Sequence, residues 1–109
     1  MNILKIVDLI IDKLMEDFGD TFKFLGSGLA YSIFSIKPES GKLSGITLEN
    51  LQEIVNNFLN EKGIKSEEKE GELGLVLLDG KAEIEFLIRE SGFLIMQNTA
   101  HSKKLLKVQ

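Results

Sequence analysis

Two periods of apolar residues run through this chain, and the place where one yields to the other limits what it can fold into. Through residues 3–18 and 47–62 the apolar positions recur at intervals of three and four; from Leu73 onward they recur at two. The first spacing makes one face of a helix, the second one face of a strand. Helical patterns first and strand patterns last predict an α+β protein, with N-terminal helices packed on a C-terminal antiparallel β-meander.

In the first helical segment Leu4, Val7, Ile11, Leu14 and Phe18 follow a 3-4-3-4 spacing, widened by Ile3, Ile6, Leu9 and Ile10. A stripe this broad calls for cover on more than one side. Lys5, Asp8, Asp12 and Glu16 make the narrow polar face, and Gly19-Asp20 ends the helix. The second segment, residues 47–62, carries Leu48, Leu51, Ile54, Val55, Phe58 and Leu59 on one face. Thr47 is placed to cap it, with Glu49 favourable in the first turn. Gly63 suits the left-handed position of a Schellman ending, with Ile64 folding back onto Leu59. Pro38 and the run PESGKLSG precede this helix as a connecting loop, and KSEEKEGE at 65–72 reads as a solvated loop or edge strand.

Strands are expected near 73–78, 81–90 and 93–98. Asp79-Gly80 is a two-residue hairpin signal and Ser91-Gly92 a second. With Asp79 and Gly80 as the loop, Leu75 stands opposite Ile84 and Leu77 opposite Ala82. Opposed residues share a face, so Leu73, Leu75, Leu77, Ala82, Ile84 and Phe86 gather on the core side. Phe93, Leu94, Ile95 and Met96 are all apolar, which requires both faces of the last strand to be buried. Val76, Leu78, Leu87, Leu94 and Met96 then form an apolar strip on the outer face, beside Glu83, Glu85 and Arg89. That strip is the expected interface.

The stretch FLGSGLAYSIFSI, from Phe24 to Ile36, admits two structures. As a hairpin, Phe22/Phe24 and Leu29/Tyr31/Ile33 alternate about a Gly-Ser-Gly turn. As a helix, Phe22, Leu25, Leu29, Ile33 and Ile36 make one face, with Gly26, Ala30 and Phe34 on a neighbouring line. The helix over 21–36 is preferred. Its two glycines cost roughly 2 kcal/mol of propensity, which a close approach would offset. Gly26, Gly28 and Ala30 are therefore expected to pack closely against the first helix near Val7 to Leu14, or to line an apolar ligand pocket.

Size and charge narrow the functions. The 109 residues read as a single α+β domain over 1–109, and at 43% hydrophobic the chain has the means for a core. A net charge of −4 argues against nucleic acid and anionic lipid as partners. Without Cys there is no disulfide, thiolate nucleophile or thiolate zinc site. The N-terminal MNILKIVDLIIDK is interrupted by charges as a signal peptide is not, and no run approaches the ~20 apolar residues of a membrane span. A soluble cytoplasmic protein is expected, and the preference for Ile, Lys and Glu is one of archaeal and thermophilic chains. His101, the one histidine, stands beside a basic tail without a carboxylate pattern and reads as a surface side chain. Gly26-Ser27-Gly28 is neither a nucleophile elbow nor a Walker loop, and Tyr31 occupies the third glycine position of a dinucleotide fingerprint. No catalytic residue, cofactor or metal ligand set emerges.

An apolar N-terminal helix, then DTFKFLGSGLAYSIF opening with Leu-Gly, then TLENLQEIVNNFLNEKGIK ending in Gly and followed by strands, resembles the vinyl-4-reductase-type small-molecule-binding domain. That group is related to the core subunits of the TRAPP vesicle-tethering complex. The resemblance covers roughly residues 3 to 78. It implies a small α+β body with a small-residue helix, acting by ligand binding or dimerisation and not by catalysis. The chain departs from the pattern in lacking Cys and in entering a tight meander where a further helix would stand.

The expected function is thus a non-enzymatic adaptor or dimerisation module, forming a homodimer or docking a partner protein. The alternative is a domain holding a small apolar ligand between the small-residue segment and the sheet. An acidic inhibitor of immunity type is a third possibility.

Overall fold

The computed structural model describes residues 3–28, 30–36, 47–78, 82–89 and 91–98. Among these, the elements run α1 (Ile3–Phe18), β1 (Phe22–Ser27), β2 (Tyr31–Ile36), α2 (Leu48–Glu61), β3 (Ser66–Glu68), β4 (Leu75–Leu78), β5 (Ala82–Arg89) and β6 (Phe93–Asn98). The strands form one six-stranded sheet in the order β1-β2-β6-β5-β4-β3, antiparallel at every pairing. The α+β class is as expected, and so are the meander strands.

α1 buries Ile3, Ile6, Val7, Ile10, Ile11 and Leu14, the i, i+3, i+4 ladder of a helix with one covered face. Leu4, which the spacing placed on that stripe, is instead 39% exposed. α1 lies against β1, and α2 lies across β3, β4 and β5. Both helices therefore cover the same face of the sheet, and the core forms between them and Phe22, Phe34, Ile36, Val76, Leu78, Ile84, Phe86, Leu94 and Met96. Aromatic rings link α1 to the hairpin, Phe18 to Phe22 at 5.4 Å between centroids, and the hairpin's two strands to each other, Phe24 to Phe34 at 5.3 Å.

Both ends of α2 follow from local chemistry. The Thr47 hydroxyl accepts from the N–H of Asn50 at 3.1 Å. At the other end Gly63 takes φ 79°, its N–H donates to the carbonyl of Asn60, and the N–H of Ile64 donates to that of Leu59 at 2.8 Å. Ser66 then anchors β3 to the helix, its hydroxyl donating to Asn56 Oδ1 at 2.8 Å. β3 is the edge strand that the KSEEKEGE run allowed.

Gln52 sits on the buried face of α2 among Leu51, Val55 and Leu59. Its side-chain amide donates to the carbonyls of Leu75 and, at 3.3 Å, Glu72. The bonds fasten the helix to the segment leading into β4. Gln52→Met keeps the volume and removes the donor, so it is expected to lower unfolding free energy by about 1–2 kcal/mol in urea titration.

Residues 21–36 do not form the expected helix. They form a hairpin, β1 paired with β2, which turns after Gly28; the Gly28 N–H donates to the carbonyl of Tyr31 at 2.8 Å. The Gly-Ser-Gly run belongs to β1 and its exit, not to the turn centre. A β-bulge lies between Phe24 and Gly26, so that Phe24 opposes Phe34 while Gly26 opposes Ile33. Gly26 serves this bulge with φ 158°, and a Cβ built on it or on Gly28 would meet nothing within 4 Å. No close approach to α1 exists there.

The β4/β5 register also differs from the expected one. Leu75 opposes Glu85, Val76 opposes Ile84, Leu77 opposes Glu83 and Leu78 opposes Ala82. Three residues, 79–81, separate the strands instead of two; the Asp79-Gly80 turn itself lies outside the described residues. The β5/β6 connection is likewise 90–92, with Gly92 at φ 98° donating to the carbonyl of Arg89. The shifted registers turn β4 and β6 over relative to the expectation, so that Val76, Leu78, Leu94 and Met96 face the core while Leu75 and Leu77 do not; β5 keeps Ala82, Ile84 and Phe86 inward as expected.

Candidate protein-contact face

With β4 and β6 turned over and β5 not, the expected interface residues separate. Val76, Leu78, Leu94 and Met96 point to the helices and are buried in the chain's own core. Their cover is α1 and α2, so they do not form an outer strip. Of the five, Leu87 alone stands on the face away from the helices, where it is half-buried.

The ladder pairings define that far face row by row, since directly opposed residues share a side. The central row runs from Ile33 on β2 to Ile95 on β6 and Leu87 on β5. On one side of it lie Lys23, Ser35, Phe93 and Arg89. On the other lie Tyr31, Gln97, Glu85 and Leu75. Beyond these, Glu83, Leu77 and Glu67 continue the acidic side. Leu25, pushed outward at the bulge, is 51% exposed, and Tyr31 and Phe93 are exposed too. Leu75 is buried yet stands outside the connected core, as its position on this face requires.

The sequence produces this face for a definite reason. β2 and β6 alternate between buried and open positions, with Ser32, Phe34 and Ile36 inward on one and Leu94, Met96 and Asn98 inward on the other. Their outward positions nonetheless carry Ile33, Ile95 and Phe93 where a solvated strand would carry polar groups. Ile33 and Ile95 were missed from sequence. The signal for Ile95 was the unbroken Phe93–Met96 run, which called for burial on both faces.

The remaining expected site residues fall elsewhere. Gly26 and Gly28 have open space around them, and Ala30 is exposed at the hairpin end. His101 lies outside the described residues. Among the described residues no group of three His, Asp or Glu side chains is placed to hold a metal ion. No helix of the described residues is long and apolar enough to cross a membrane. On the helix side, Lys13 donates to Asp17 at 3.1 Å, and that bond holds its ammonium above the ordinary 10.5. Lys13 and Lys62 both lie over the Phe58 ring, at 5.7 and 5.6 Å from its centroid. No family model matches this chain, and no curated protein or solved structure matches it.

Proposed function

We propose that the protein is a non-enzymatic contact module, an adaptor or dimerisation unit, that works through the helix-free face of its sheet. The observation that carries this reading is the in-register apolar row Ile33–Ile95–Leu87, extended by Phe93 and Leu25. Apolar groups aligned across three adjacent strands lose contact with water together when one flat surface covers them, at about 25 cal/mol per Å². Among the described residues, both helices pack on the opposite face.

The absence of Cys from the chain makes the reading testable at single positions. Ile95→Cys introduces one thiol at the centre of the row, and Glu53→Cys one on the exposed side of α2. Alkylation is compared in intact producing cells and in purified protein diluted to low concentration. The Ile95→Cys thiol is expected to react at least tenfold more slowly in cells, while the Glu53→Cys thiol reacts alike in both. Equal, unprotected labelling of both thiols in cells would remove the contact-face reading.

A further inference from the structure

The charges bordering the apolar row are opposite in sign on its two sides. On β5, Glu85, Leu87 and Arg89 occupy successive outward positions, so an acid and a base flank Leu87 at equal spacing, roughly 7 Å along the strand. The same division holds across the sheet. The Phe93 row carries Lys23 and Arg89, and the other side carries Glu85, then Glu83 and Glu67. A border of one sign would repel its own image. On β5 this one meets its opposite when the face is turned over.

The operation that does so is a two-fold axis lying between two stacked faces and running along the apolar row. Rotation about it keeps each strand over its own counterpart and reverses the direction along the strand. Ile33, Ile95 and Leu87 then stack on themselves, and Arg89 of each copy comes over Glu85 of the other. Stacked sheets lie about 10 Å apart with strands aligned to within about 30°, a gap that an Arg and a Glu reaching from opposite sides can span. We infer that the partner is a second copy of this chain, joined face to face about a two-fold axis along Ile33–Ile95–Leu87, with reciprocal Arg89–Glu85 pairs on either side. This rests on the contact-face reading and adds the occupant and its register. An isologous contact of this kind closes as a dimer and grows no further.

Charge exchange tests the register without touching the core, because Arg89 is exposed and Glu85 lies on the open face. Solution mass is measured by light scattering at micromolar concentration, with circular dichroism confirming the fold of each variant. The wild type is expected to have twice the chain mass. Arg89→Glu alone and Glu85→Arg alone each halve it, by placing like charges over one another. The double exchange, Arg89→Glu with Glu85→Arg, restores the dimer. Leu87→Glu puts a carboxylate in the apolar row and gives the monomer whatever stands at 85 and 89. A wild-type monomer, single exchanges that leave the dimer intact, or a double exchange that fails to restore it would each overturn the proposal. Labelling of the Ile95→Cys thiol keeps the two ideas apart. A monomer protected there in cells loses the second copy as partner and keeps the contact face, and a monomer labelled freely in cells loses both.

Discussion

Gly74→Ala is expected to destabilise the fold by roughly 2–5 kcal/mol, through two independent costs. Gly74 stands just before β4 at φ 77°, a left-handed conformation that costs a residue with a Cβ about 1–2 kcal/mol. Its carbonyl accepts from the N–H of Phe86 at 2.8 Å, which draws the two backbones together. A Cβ at 74 would lie 2.8 Å from the Phe86 carbonyl oxygen, 3.4 Å from the Phe86 Cβ and 3.5 Å from the Leu48 Cβ. The nearest of these is backbone and cannot swing aside, so a further ~1–3 kcal/mol of overpacking follows. The same substitution at Gly28, where the space is open, is the control. Thermal unfolding of both variants checks this: a Gly74→Ala midpoint no lower than that of Gly28→Ala would show that the close approach does not constrain the fold.

Phe34→Ala is expected to cost about 3–5 kcal/mol, the range for removing a fully buried aromatic ring. Phe34 is the inward residue of β2 at which the hairpin meets the rest of the core. Its ring contacts both Phe24 and Phe22, and its backbone pairs with Leu94 of β6. For a chain of this length such a loss lowers the unfolding midpoint by roughly 10–20 °C. Phe34→Leu, which keeps most of the volume, is expected to retain more than half of that stability. If Phe34→Ala instead unfolds within a degree or two of wild type, the hairpin is not integral to the core.

What could be read in advance divides by how local the deciding contacts are. The limits of α2 were legible because Thr47 and Gly63 act within their own turns. The extent of α1 was legible from its stripe alone. The hairpin was not, because the bulge at Leu25 and Gly26 interrupts the alternation that marks a strand. The displaced pattern imitates intervals of three and four. The register of β4 was not legible either, since Leu75, Val76, Leu77 and Leu78 are apolar without a break and either phase satisfies them. Gln52 and the fit of Gly74 against Phe86 distinguish the phases, and both are contacts across the fold. The expected outer strip inherited that error. Of the five residues expected on the outer face, Leu87 stands there, Val76, Leu78, Leu94 and Met96 lie in the core, and Ile33 and Ile95 share the row of Leu87.

The pairing of β2 with β6 bears on how quickly the molecule can assemble. The β1–β2 hairpin is local in the chain, and so is the run from β3 to β6. The sheet becomes continuous only when residues 31–35 meet residues 93–97. That step closes a loop of about sixty residues, whose entropy must be lost before the pairing is gained. Sheets that depend on such distant partners fold more slowly than those built from neighbours. On the ribosome the hairpin emerges with its inner edge, β2, unpaired, and it waits through synthesis of α2 and three further strands. Until β6 arrives, that edge is the part of the chain most open to a wrong partner.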